Sequence, residues 1–75
     1  MDRKEKHIME LKLLSLIKSL DVPKTANAIC IEYNKTHNTN YRYKTVRSRL
    51  DNLVKLSLIK KIEVGNNIFS YEKSK

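Results

Sequence analysis

Residues 40–61 read NYRYKTVRSRLDNLVKLSLIKK, and the apolar residues among them recur with the period of an α-helix. The apolar residues recur at spacings of three and four, namely Tyr43, Val46, Leu50, Leu53 and Val54. This spacing places them on one stripe of an α-helix, which we expect over residues 42–56. The opposite face is polar and mostly basic, and Asp51 is its only acidic residue. A surface helix stabilised by its own side chains would alternate charge signs, so this face favours an anionic partner.

The charge of the whole chain is concentrated in the same region. The sequence has 16 basic and 8 acidic residues, which give a formal net charge of +8. Residues 41–60 contain six basic residues and one acidic residue, so they contribute +5 of this charge. Basic side chains that displace counterions from phosphates supply most non-specific affinity for nucleic acid. The distribution therefore predicts a polyanionic partner.

Length and composition bound the class of protein. With 75 residues, 40% of them hydrophobic, and with one Gly and one Pro, the chain is expected to form a single, mostly helical domain over residues 1–75. No apolar run approaches the ~18 residues of a membrane-spanning helix, so no membrane partner is expected. One cysteine and a charged start favour a cytoplasmic protein. The sequence has no nucleophile–base set, phosphate loop or metal-ligand spacing, so we expect no enzyme, cofactor, metal ion or small-molecule ligand.

Two further helices are predicted before this one. The second is expected over residues 24–36, with Cys30 on its core-facing stripe, and the polar run NKTHNTN ends it. The first is expected over residues 4–20 and has two apolar arcs. One arc contains Met9, Leu13, Leu16, Ile17 and Leu20, and the other contains Ile8, Leu11 and Leu14. The second arc either packs on the C-terminal strands or forms a homodimer interface; the prediction favours the homodimer, because a small monomer cannot cover both arcs.

A β-hairpin is predicted after the third helix, over residues 59–72. Two runs of alternating apolar and polar residues are separated there by Gly65, Asn66 and Asn67. Gly65 is the only glycine of the chain, and we expect it to supply the positive φ that such a turn needs. The predicted fold class is α+β, mainly α, in the order helix, helix, helix, hairpin.

This order, with TVRSRLDNLVKLSLIKK leading into the hairpin, resembles the winged helix-turn-helix family of DNA-binding regulators, in particular the small archaeal and viral type. The matching residues are Thr45, Val46, Arg47, Leu50, Leu53, Ser57, Leu58 and Ile59. The resemblance covers about residues 9–72, nearly the whole chain. It implies a winged helix, in which three helices are followed by a two-stranded wing. It also implies a transcription regulator that binds double-stranded DNA sequence-specifically.

The resemblance further implies roles for individual residues. The helix over residues 42–56 would enter the major groove, with Tyr41, Arg42, Lys44, Thr45, Ser48, Arg49 and Asn52 on its outward side. Lys44, Thr45, Ser48 and Arg49 would read bases, while Arg42, Arg47, Lys60 and Lys61 would bind phosphates. Asn66 and Asn67 would lie against the backbone or minor groove, unless the hairpin only closes the core. Tyr43 lies on the apolar stripe and is expected in the core, with base stacking or a phosphate bond as the alternative.

Two other functions are compatible with such a fold. A winged helix can be a protein-interaction adaptor in a larger assembly. It can also be a non-specific DNA-coating protein, which would keep the basic face but need no ordered set of short polar side chains on it. The +5 charge of residues 41–60 favours DNA over an adaptor role.

Overall fold

Three helices and a small antiparallel sheet make up the structure, a computed structural model that describes residues 1–74. The elements in chain order are α1 (Arg3–Lys18), β1 (Lys24–Thr25), α2 (Ala26–His37), α3 (Tyr43–Lys55), β2 (Ile59–Gly65) and β3 (Ile68–Lys73). This order confirms the predicted α+β fold, in which three helices precede an antiparallel hairpin in the layout of a winged helix.

Capping residues set where the first two helices begin. Asp2 precedes α1, and its carboxylate accepts a hydrogen bond of 2.8 Å from the backbone N–H of Glu5. Thr25 precedes α2 in the same way, and its hydroxyl oxygen accepts from the N–H of Ala28 at 3.2 Å. Each bond satisfies an N–H group that the start of a helix leaves without a partner. The local sequence therefore fixes both starts.

The end of α3 turns the chain towards β2. Ser57 has a φ of 62°, and its N–H donates to the carbonyl of Val54 at 2.9 Å. The N–H of Leu58 donates to the carbonyl of Leu53 at 3.0 Å. Together these bonds form a Schellman motif, whose left-handed residue is usually glycine. Serine adopts that conformation here at a cost of about 1–2 kcal/mol, and the sheet begins two residues later.

The core lies where the apolar stripes of the three helices meet the sheet. Its buried hydrophobic members are Met9, Leu13, Ile17, Leu20, Ala26, Ile29, Cys30, Tyr33, Val46, Leu50, Leu53, Ile59 and Tyr71. The predicted stripe of α3 supplies Val46, Leu50 and Leu53, each at most 2% exposed. Cys30 is buried as predicted. Since one face of α3 is held in the core, its basic face is left on the outside.

The sheet has a third strand that the sequence did not predict. Its order is β1–β3–β2, with both pairings antiparallel. In β1, Lys24 pairs with Tyr71 and Thr25 with Ser70. Two residues are too few to show alternation, so the hydrophobic pattern could not reveal this strand. Its pairing makes β3 the central strand, and Ser70 and Tyr71 are both buried there.

The turn of the hairpin corrects the prediction for its glycine. Gly65 does not have a positive φ; the left-handed residue is Asn67, with a φ of 58°. Gly65 instead ends β2 at an irregularity, because the register shifts between Glu63 and Gly65. Asparagine tolerates the left-handed region better than most residues, since its short polar side chain can form local hydrogen bonds. The prediction that Gly65 supplies the positive φ is wrong.

Candidate nucleic-acid interface

The exposed face of α3 is predominantly basic. Lys44, Arg47, Ser48 and Lys55 are exposed on it, and Arg42 is exposed just before the helix begins. Their position follows from the helical period, because the buried stripe occupies the opposite side. None of the four basic residues forms an ion pair with another residue of the described range 1–74. The side chains are therefore available to an external anion.

The single acidic residue of this face is already bound within the protein. The carboxylate of Asp51 accepts a hydrogen bond of 2.6 Å from the hydroxyl of Tyr71 and one of 3.1 Å from Nζ of Lys61. Burial raises the pKa of the Tyr71 phenol well above its usual range, and the hydrogen bond to Asp51 raises it further. Tyr71 therefore stays protonated and remains a donor at neutral pH. Asp51 thus joins α3 to both strands of the hairpin.

A second acidic residue is bound on the side of α3 that faces α1. Glu10 Oε2 lies 2.8 Å from a guanidinium nitrogen of Arg49 and accepts a hydrogen bond of 2.9 Å from Nδ2 of Asn52. Arg49 also donates to the hydroxyl oxygen of Ser48 at 3.2 Å. The side chains of Arg49 and Glu10 are only 18% and 12% exposed. This network holds α3 against α1.

The network corrects two predicted orientations. Arg49 and Asn52 were expected on the outward side of the helix, but both turn towards α1. Arg49 flanks the buried stripe, so either side was compatible with the helical period, whereas Asn52 lies further round the helix; Glu10 of α1 accepts a hydrogen bond from each of them. The partner lies 39 residues before Arg49 in the sequence, a separation at which no local pattern could reveal it.

Two tyrosines exchange the places that the sequence predicted for them. Tyr41, expected to point outward, is half-buried, and its ring packs against the core with its centroid 6.0 Å from that of Tyr33. The side chain of Asn34 holds the backbone of Tyr41 from both sides, at 2.9 Å to its N–H and 3.0 Å to its carbonyl. Tyr43, expected in the core, is 41% exposed, with the guanidinium carbon of Arg47 5.7 Å from its ring centroid. Both predictions are wrong, since α3 begins at Tyr43 and its first turn extends beyond the core.

The remaining predicted residues lie on α3 itself or in the hairpin. Thr45 is half-buried, and it lines a shallow pocket with Lys44, Ser48 and the start of α1. Asn66 and Asn67 are exposed at the tip of the hairpin. Lys60 and Lys61 are consecutive in β2, so their side chains point to opposite faces of the sheet. Lys61 turns towards α3, and Lys60 therefore lies on the other face.

A groove separates α3 from the sheet, with a volume of about 750 Å³. We call it the α3–sheet groove; it is lined by Thr25, Ala26, Asn27, Tyr43, Arg47, Asp51, Lys61, Asn67, Ile68, Phe69 and Tyr71. Phe69 and the start of α2 were not among the predicted site residues. Phe69 alternates with polar residues in the hairpin. This pattern is equally typical of a core residue, so it could not indicate that Phe69 would be 36% exposed.

Comparisons with protein-family models, curated proteins and solved structures find no match to this chain. Within the described residues, the helices are all too short or too polar to cross a membrane.

Proposed function

We propose that this protein binds double-stranded DNA sequence-specifically and acts as a transcription regulator. The observation that carries the proposal is the state of the acidic residues around α3. Asp51 and Glu10 are both bound to side chains of the protein, while Lys44, Arg47 and Lys55 have no carboxylate partner among residues 1–74. A phosphate backbone would therefore meet a face whose positive charge is not compensated.

The proposed contacts follow from the positions of the side chains. Lys44 and Ser48 lie on the outward face of the first half of α3, with Thr45 beside them, and would contact base edges in the major groove. Arg42 and Arg47 flank these residues and would bind phosphates. Arg49 and Asn52 are not included, because Glu10 already binds both.

The hairpin would act as the wing. Asn66 and Asn67 are exposed at its tip and would lie against the backbone or minor groove. The bonds of Asp51 to Tyr71 and Lys61 fix the hairpin relative to α3, so the helix and the wing present one surface of defined shape. A preorganised surface lowers the entropy cost of binding.

Titration of a labelled random-sequence duplex at several salt concentrations tests the basic face. We expect the logarithm of affinity to fall with the logarithm of salt concentration, at a slope of roughly −0.9 per phosphate contact. Lys44→Gln should weaken binding. The matched control is Lys18→Gln, which removes the same charge from the last turn of α1, outside the basic face. The proposal would be refuted if the two variants lost the same amount of affinity for the duplex, or if the wild type did not bind at low salt.

Sequence specificity needs a separate experiment, namely selection of binding sites from a pool of random duplexes. Enrichment of one short sequence is the expected result, and it would define the operator. Lys44→Gln should then change the preferred base at one position, at about 1–3 kcal/mol for a lost bidentate contact. Ser48→Ala removes a single hydroxyl and should cost about 0.5–1.5 kcal/mol. A pool that stays random after selection would instead support non-specific coating.

The proposed regulator is a homodimer that pairs through α1. Ile8 and Leu11 are 41% and 54% exposed on one side of this helix. Leu14, the third predicted interface residue, is half-buried and packs partly against the core, so it would contribute less than expected. Pairing two α1 helices about a two-fold axis would cover Ile8 and Leu11 on both chains. It would also place two α3 helices side by side, as a near-palindromic operator requires.

A further inference from the structure

The α3–sheet groove combines aromatic and cationic side chains. Phe69 and Tyr43 are 36% and 41% exposed, so each is partly accessible to a ligand. Nζ of Lys61 lies 4.5 Å from the ring centroid of Phe69, and the guanidinium carbon of Arg47 lies 5.7 Å from that of Tyr43. Each exposed ring is thus paired with a cation.

The two cations differ in what they already bind. Lys61 is held by Asp51 at 3.1 Å, so its charge is largely compensated within the protein. Arg47 contacts the ring of Tyr43 and forms no ion pair within residues 1–74. A guanidinium group presents two parallel N–H donors that match the oxygens of a phosphate. Arg47 is therefore the group in the groove that is suited to bind an anion.

We propose that the α3–sheet groove binds an unpaired nucleotide of a DNA strand. Its base would stack on Phe69 or Tyr43, and its phosphate would bind Arg47. The groove volume of about 750 Å³ lies within the range of small-ligand sites, ~300–1,000 Å³. This inference rests on the proposed DNA-binding function and extends it to a partly single-stranded site.

The exposed rings favour an unpaired nucleotide over an intact duplex. Inside a duplex each base is stacked between its neighbours, so an aromatic side chain reaches the face of a base at least cost where the base is unpaired. Duplex binding alone would need the cations and the polar side chains of α3, but not Phe69. The combination of a cationic groove with accessible aromatic rings is typical of proteins that bind single strands.

The test compares three labelled DNAs by fluorescence anisotropy. They are a blunt duplex, the same duplex with a four-nucleotide overhang, and the same duplex with an abasic overhang. The abasic overhang keeps the phosphates and removes the bases, so it separates stacking from charge. We expect the normal overhang to bind roughly 5- to 160-fold more tightly than the abasic one, the range for one base stacked on one aromatic side chain.

Three variants test whether this gain in affinity for the normal overhang comes from the groove. Phe69→Leu and Tyr43→Leu remove a ring and keep apolar bulk, and at least one of them should abolish the preference for the normal overhang. Val64→Ala is the control, since Val64 is 57% exposed in the same hairpin and does not line the groove. Far-ultraviolet circular dichroism checks that each variant is folded. A preference that survives both ring replacements would overturn the assignment to the groove.

The outcomes separate this inference from the proposed function. If the blunt duplex binds and the two overhangs bind equally, the groove assignment is wrong while duplex binding stands. If the normal overhang alone binds, the assignment stands and duplex binding is wrong. Free deoxyadenosine monophosphate serves as competitor and should displace the overhang only at millimolar concentration. Displacement at micromolar concentration would overturn the assignment to a DNA strand in favour of a free nucleotide.

Discussion

We expect the hydrogen bond between Tyr71 and Asp51 to contribute measurably to the free energy of unfolding. Tyr71→Phe removes the hydroxyl group and keeps the ring, which is 1% exposed in the core. The substitution thereby deletes the 2.6 Å hydrogen bond to Asp51 without opening a cavity. Any change in the free energy of unfolding then reports mainly on the connection between α3 and the hairpin.

The structure gives the expected size of the effect. A hydrogen bond to a charged group contributes about 1.5–3 kcal/mol. The side chain of Asp51 is 41% exposed and keeps Lys61 at 3.1 Å, so water can replace the lost donor. We therefore expect Tyr71→Phe to lower the free energy of unfolding by about 1–2 kcal/mol, near the lower end of that range. For a domain of this size the melting temperature should fall by about 6–12 °C.

Urea denaturation followed by circular dichroism measures this loss. Tyr41→Phe is the matched control, because the hydroxyl of Tyr41 donates no hydrogen bond within residues 1–74. The midpoint should fall for Tyr71→Phe and stay nearly constant for Tyr41→Phe, with the same slope m in both. If the two variants differ by less than about 0.5 kcal/mol, within the usual scatter of surface substitutions, the bond does not stabilise the fold and the reasoning is refuted.

Three further predictions concern other parts of the structure. Because the pKa of Tyr71 is raised in the folded state, its protonated hydroxyl contributes stability that should be fully present below about pH 10 and should be lost as the pH rises further. In alkaline denaturation, the free energy of unfolding of Tyr71→Phe should therefore fall less steeply than that of the wild type. Glu10→Ala should lower the free energy of unfolding, measured by urea denaturation, by about 1–3 kcal/mol, because Arg49 and Asn52 lose their acceptor. The control Glu32→Ala, on the exposed side of α2, should change it little. Leu11→Glu should give a folded monomer in sedimentation, and a wild type that is already monomeric at tens of micromolar would contradict the dimer.

The local pattern of the sequence predicts the helices and the hairpin well, because periodicity is a short-range signal. Val46, Leu50 and Leu53 repeat at helical spacing and are all buried as expected. The starts of α1 and α2 follow from Asp2 and Thr25, whose side chains act within three residues. Such features depend on neighbouring residues alone, so a single sequence is enough to find them.

The candidate site was harder to predict, because distant residues decide its details. Arg49 has the same charge as Arg47, yet Glu10 of α1 binds the first and not the second. Tyr41 is drawn towards the core by Asn34, which lies in what looked like a turn-forming run. The positive φ of the hairpin fell on Asn67 although a glycine stood two residues away. For Arg49 and Tyr41, a contact with a residue of an earlier helix overrode the local preference.

The position of β3 has a consequence for how the protein is made. Chains emerge from the ribosome from the N-terminus onward, and β3 follows all three helices in the sequence although it is the central strand of the sheet. Residues 24–25 cannot pair, and Asp51 cannot receive its tyrosine donor, until residues 68–73 have been synthesised. During translation the three helices therefore emerge with their apolar stripes incompletely covered. The nascent chain should therefore remain sensitive to proteases until residues 68–73 have emerged and β3 has paired.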